Sequence, residues 1–137
     1  MPRILALDYG GKRTGIAVTD PLKIIATALT TVLSHELLKF LQDYCQTEEV
    51  ESFVIGYPVD LKSQPTDGTK LVENFVEKLK TTFPTIPVYL VDVRFTSKMA
   101  MQSMIASGMS KKNRRVKGNV DKVSAVIILQ DFLQQNP

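Results

Sequence analysis

Asp8 is the residue whose setting in this chain points most directly to chemistry. It follows the apolar run Ile4-Leu5-Ala6-Leu7, precedes Tyr9-Gly10-Gly11, and is followed by an alternating segment from Thr14 to Thr19. The apolar run reads as a strand buried on both faces, where an ionised carboxylate is costly unless something uses it. Gly10 and Gly11 reach backbone angles closed to other residues and let a phosphate come close. A carboxylate at a strand end beside such a turn suits two chemistries, metal-dependent cleavage of nucleic acid and the handling of ATP.

A second group of side chains narrows the choice. Lys111, Lys112, Arg114, Arg115 and Lys117 put five positive charges into seven residues with no acid among them. The chain carries +3 in all, so the remainder sums to 3 − 5 = −2. Basicity held in one loop of a slightly acidic domain suits contact with a polyanion, although many charge runs are only solvated surface. Arg13, beside the glycine turn, and Arg94 are further candidates for phosphate contact. A single histidine and a single cysteine exclude a histidine cluster, a multi-cysteine zinc site and an internal disulfide within one chain. Any metal would therefore rest on carboxylates, and His35 and Cys45 read as structural.

The elements that must position these groups follow from periodicity. Strand one covers Arg3 to Asp8, strand two about Thr14 to Thr19, and after a turn at Asp20-Pro21 a third runs from Ile24 to Val32, an antiparallel meander. Ser34 suits a helix N-cap, and Leu37, Leu38, Leu41 and Tyr44 give that helix its apolar face. Val50 to Gly56 is a buried strand, and a polar loop from Asp60 to Thr69 leads to a helix with Leu71, Phe75, Val76 and Leu79 on one side. Pro84 and Pro87 precede a fifth strand, Val88 to Val93. Thr96 suits the cap of a helix from Ser97 to Ala106 that Gly108 stops. The last helix, from about Val120 to Leu133, turns Val123, Val126, Ile127 and Phe132 inward.

The order is βββαβαβαα, which predicts an α/β fold: a five-stranded mixed sheet, with antiparallel meander and parallel strands, flanked by helices. The 137 residues form a single domain, enough to bury about two-thirds of the unfolded surface. No stretch reads as a signal peptide or reaches membrane-spanning length, so the expected compartment is the cytoplasm and no membrane partner is expected.

Four segments in consistent order, Asp8-Tyr9-Gly10, Ile55-Gly56-Tyr57-Pro58, Asp92-Val93-Arg94-Phe95-Thr96-Ser97 and Val120-Asp121-Lys122, resemble the YqgF family of RuvX-like proteins in the RNase H-like superfamily. The resemblance spans almost the whole chain. It implies an RNase H-like fold and a metal-dependent endonuclease acting on structured nucleic acid. By the same resemblance that substrate would be the precursor of 16S ribosomal RNA, matured at its 5′ end during ribosome biogenesis, or a Holliday junction. It also implies Mg2+ or Mn2+ held by Asp8 as central ligand, Asp121 as a second and position 93 as a third. The basic residues, standing just before Asp121, would then meet phosphates near the metal. A four-way junction would be met by a symmetric homodimer. An actin-like ATPase closes two such domains around its nucleotide, and a chain with one Asp-x-Gly hairpin does not provide them.

One position departs from the family pattern. The family usually has Asp-Glu-Arg where this chain has Asp92-Val93-Arg94. Asp92 becomes a candidate catalytic carboxylate, although neighbouring strand residues point to opposite faces and Asp92 could instead pair with Arg94. The alternative is a catalytically weakened member that binds nucleic acid without cutting it efficiently.

Overall fold

A computed structural model of the chain describes residues 2–20, 22–23, 25–58, 67–93, 102–114 and 117–135. Strands β1 (Arg3–Tyr9), β2 (Arg13–Thr19) and β3 (Ala26–Leu33) are followed by a 3-10 turn (Ser34–Glu36) and α1 (Leu37–Thr47). Then come β4 (Val50–Pro58), α2 (Asp67–Thr82) and β5 (Val88–Val93). Residues 102–106 form a helical segment, α3. The chain continues through α4 (Lys111–Arg114) and α5 (Lys117–Gln135).

The five strands make one sheet in the order β3-β2-β1-β4-β5. β1, β2 and β3 pair antiparallel, while β4 runs parallel to β1 and β5 parallel to β4. The helices between β3 and β4 and between β4 and β5 are the crossovers that parallel neighbours require. This is the mixed sheet expected from the sequence.

Alternation along the strands divides the core in two. On one face Leu5, Leu7, Ile16, Val18, Phe53 and Ile55 pack against Leu37 and Leu41 of α1 and Val72, Phe75, Val76 and Leu79 of α2. On the other, Ile4, Ala6, Ala17, Val54 and Val91 meet Ala125, Ile128, Leu129 and Phe132 of α5. Where β1 and β2 meet α5 this face carries the small residues Ala6, Gly15 and Ala17, so α5 lies close against the sheet there. Gly15 marks the closest point. A Cβ there would fall on the Asp121 carbonyl group and within 2.9 Å of Lys122 N.

Several local expectations are corrected. β3 begins at Ala26 rather than Ile24, because Asp20 holds the turn before it. Its Oδ1 accepts from Ile25 N at 2.7 Å and its Oδ2 from Leu22 N at 3.2 Å. Ser34 does not cap α1. It sits in the 3-10 turn, is buried, and its Oγ bonds Thr14 Oγ1 and donates to the Gly10 carbonyl. The basic run is helical rather than a loop over Lys111–Arg114, and α5 already begins at Lys117. The inward face of α5 is Ser124, Ala125, Ile128, Leu129 and Phe132, with Val123, Val126 and Ile127 half-buried. The start of the Ser97–Ala106 helix lies outside the described residues. Its end matches expectation: Gly108 has φ +82, Gly108 N bonds Ile105 O and Met109 N bonds Met104 O, a Schellman stop.

Candidate active site

Asp8 stands near the end of β1, on the α5 face, directly opposite Gly15 of β2 in the antiparallel register. Because Gly15 has no side chain, the backbone of α5 occupies the space beside Asp8 at residues 121 and 122. That close approach brings the side chains of α5 to the strand end. Asp121 and Ser124 are three apart in the helix and so share a face. Both act on Asp8: the Asp121 charge opposes its ionisation and the Ser124 hydroxyl favours it.

The sum of these influences is a perturbed acid. Burial is the largest, the Asp121 charge the next, and together they outweigh Ser124 and raise the Asp8 pKa from 3.8 to about 6. Ser124 Oγ is buried and makes no hydrogen bond of ordinary geometry among the described residues. The Ser124 hydroxyl is thus a buried polar group beside the Asp8 carboxylate, in a site whose acid is shifted from its ordinary range.

Arg13, first residue of β2, lies on the same face as Gly15. Its Nε donates to Asp121 Oδ2 at 3.2 Å. The turn between β1 and β2 is pinned from below. Gly10 N donates to Arg13 O at 3.0 Å, Ser34 N donates to Lys12 O at 2.9 Å, and Ser34 Oγ reaches the Gly10 carbonyl. Gly10 is needed for this closeness, since a Cβ would lie 2.7 Å from Arg13 O. A Cβ at Gly11 would meet only Leu71 Cδ1 at an ordinary 3.7 Å. Among the described glycines only Gly108 has positive φ, so neither turn glycine uses the left-handed freedom anticipated from sequence.

Asp92 is not brought to this pair. Along β5, Val91 packs with Ala6 and Val54 on the α5 face, whereas Val88 packs with the α2 cluster. Position 92, which pairs with Tyr57, has the parity of Val88, and Asp92 is exposed on the face opposite Asp8. Position 93 has the parity of Val91. Among the described residues no group of three or more His, Cys, Asp or Glu converges. Lys111 and Lys112 are exposed on α4, Arg114 ends that helix and Lys117 begins α5. Arg94 and Arg115 lie outside the described residues. Sequence reasoning missed Gly15 and Ser124. Gly15 carried a signal, a glycine inside a strand, which often marks a close approach of backbone.

A mixed sheet of this order, an antiparallel meander continued by two parallel strands and flanked by helices, is an RNase H-like fold. Fowlpox virus resolvase, in a complex with Holliday junction DNA, superposes with a TM-score of 0.61 at 11% identity, covering 97% of both chains. T. thermophilus RuvC, also in complex with a Holliday junction substrate, gives 0.58 at 12% identity, covering 99% of this chain and 97% of that one. At these identities the likeness establishes the fold. The family follows from sequence: residues 2–135 match the profile described as RuvX: Holliday junction resolvase, and the chain belongs to that family. It is 53% identical over 133 residues to a Flavobacterium psychrophilum protein named "Putative pre-16S rRNA nuclease", covering 97% of each. A Porphyromonas gingivalis protein of the same name is 53% identical over 137 residues, covering 100% of this chain and 99% of the relative.

Proposed function

We propose that this protein is a divalent-metal-dependent phosphodiester hydrolase acting on structured nucleic acid, with the precursor of 16S ribosomal RNA as its principal substrate and branched DNA as the second. The observation that carries this reading is the Asp8–Asp121 pair, two carboxylates brought together beside a buried serine hydroxyl without an ordinary partner. Hard oxygen donors of this kind fit Mg2+ or Mn2+, which keep several waters and need few protein ligands. Asp8 and Asp121 would hold the ion, and when bound it would supply a nucleophilic water at neutral pH and charge stabilisation at the phosphate.

The chain's own residues set the conditions for that chemistry. Asp8 must be ionised to serve, so burial and Asp121, which oppose ionisation, also tie readiness to pH. Ser124 favours the ionised form from the helix side. The Ser34 bonds to Thr14 and Gly10 fix the turn that carries Arg13 towards Asp121. Lys111 and Lys112, exposed on α4, with Arg114 and Lys117 flanking the start of α5, supply cations for the phosphate backbone. No helix among the described residues is long and apolar enough to cross a membrane. We place the protein in the cytoplasm, where the proposed ribosomal substrate is made, and a symmetric dimer would suit the twofold form of a junction.

The test is cleavage of a precursor 16S rRNA fragment and of a synthetic four-way DNA junction in Mg2+ or Mn2+, comparing the native protein with Asp8→Asn and Asp121→Asn. Both variants lose cleavage if the reading holds. Cleavage that survives Asp8→Asn overturns it, and the substrate cut by the native protein decides between the two.

A second reading, a member that binds without efficient cutting, is favoured by one observation: position 93 has the parity of the Asp8 face yet is valine. On this reading Val93→Glu adds a third anionic ligand and raises cleavage by tenfold or more, since each ~1.4 kcal/mol of added transition-state stabilisation is a factor of ten. Unchanged or reduced cleavage in Val93→Glu discards it.

A further inference from the structure

Asp121 serves two partners that pull it in different directions. Across the helix–sheet contact its charge reaches Asp8, and from β2 Arg13 Nε donates to its Oδ2 at 3.2 Å. Charge-assisted bonds of this type usually lie at about 2.7–2.9 Å, so the contact is a loose one. It uses Nε alone. The terminal guanidinium nitrogens of Arg13 make no hydrogen bond among the described residues. Both side chains are partly open to water, at 29% for Arg13 and 24% for Asp121.

The charges do not close. Among these three groups, two carboxylates and one guanidinium sum to −1 − 1 + 1 = −1, and the guanidinium is placed on Asp121 rather than between the pair. A divalent ion held by both carboxylates would satisfy Asp121 and repel the guanidinium beside it. Arg13 follows directly on the glycine turn at the strand end, so its side chain has solvent on one side and an anion-seeking fork to direct there. A phosphate group is the anion this fork matches, with two parallel N–H donors.

We infer that Arg13 is an exchangeable counter-cation: it holds Asp121 in place while no metal is bound, is displaced from Asp121 by a divalent ion, and then turns its guanidinium to a phosphate of the bound nucleic acid. The inference rests on the reading of Asp8 and Asp121 as the metal-holding pair. Its consequence is positive coupling between metal and nucleic acid through one side chain, and by linkage each ligand raises the affinity of the other by the same factor.

The experiment has two readouts besides catalysis. Mn2+ is titrated calorimetrically into the native protein, Arg13→Gln, Arg13→Lys and Asp8→Asn, each checked for folding by thermal melting. Removing a competing cation makes Arg13→Gln bind Mn2+ about two- to fivefold more tightly, the range of a partly exposed ion pair, while Arg13→Lys stays near the native value. Binding of a labelled four-way DNA junction is then followed by anisotropy in Ca2+ and in EDTA, with gels confirming an uncut probe. Arg13→Gln weakens binding about tenfold in Ca2+ and less than about twofold in EDTA, and lowers the log–log salt slope by about one only when Ca2+ is present. Unchanged or weaker Mn2+ binding in Arg13→Gln overturns the inference, because Arg13 would then be holding Asp121 for the metal. An equal loss of junction affinity in Ca2+ and EDTA overturns it too. Should Asp8→Asn take up Mn2+ as well as the native protein, the metal-pair reading itself falls, a separate outcome.

Discussion

Replacing Asp8 by asparagine should make the metal-free protein more stable, and the size and pH dependence of the gain follow from the site. Burial and the Asp121 charge raise the Asp8 pKa from 3.8 to about 6, so the folded state holds its proton more tightly than the unfolded state does. Between these values the folded chain binds more protons, and stability therefore falls as pH rises through the window. Above about pH 6 the full penalty stands; below about pH 4 it is gone. The gap corresponds to ~3 kcal/mol. An asparagine amide escapes that penalty but leaves buried polar hydrogens imperfectly paired, offsetting roughly 1 kcal/mol. The net gain is ~2 kcal/mol, or about 6 °C in Tm for a domain of this size. Thermal unfolding of native protein and Asp8→Asn in EDTA, at pH 8 and pH 4, reads it directly. The reasoning is refuted if Asp8→Asn is no more stable than native protein at pH 8, or if its advantage is undiminished at pH 4. Adding Mg2+ at about a hundred times its dissociation constant should return ~2.7 kcal/mol to the native protein alone.

Gly15→Ala should cost ~3 kcal/mol or more, because the new methyl falls on the α5 backbone rather than on a side chain that can move aside. In whatever fraction folds, Mn2+ affinity should drop at least tenfold in a calorimetric titration; native affinity would show that the contact does not set the carboxylate pair. Lys111→Ala combined with Lys112→Ala should leave unfolding unchanged, since both side chains are exposed. The same double variant should flatten the salt dependence of junction binding by about two in log–log slope, and an unaltered slope would return these lysines to plain solvated surface.

The sequence displayed most of the sheet. Buried runs such as Ile4-Leu5-Ala6-Leu7, the turn at Asp20 and the crossover helices with their apolar stripes follow local rules, and the mixed sheet of antiparallel meander and parallel strands was expected from them. Asp8 was legible for a related reason: a charge where burial is otherwise complete has few structural explanations. The inward face of α5 was legible only in part: Phe132 is buried and Val126 packs against the core, as expected, but the contact through Ser124 and Ala125 was not. A rule that turns large apolar residues inward favours Val123 and Ile127, but this helix meets a surface made by Ala6, Gly15 and Ala17, where only Ser124 and Ala125 let the backbones approach. That fit depends on both partners and is written in neither segment alone. The last helix was expected from about Val120, yet α5 begins at Lys117, so Asp121 lies a turn inside the helix rather than at its start. Asp92 was drawn in by its closeness to position 93 in sequence, and the pleat sends it to the other side.

The contact at Gly15 also has a temporal meaning. Asp8 and Asp121 stand 121 − 8 = 113 residues apart, and they meet only once α5 has closed over β2. A chain emerging from the ribosome N-terminus first therefore carries Asp8 long before Asp121 exists to stand beside it, and the carboxylate pair comes into being only when α5 closes on β2.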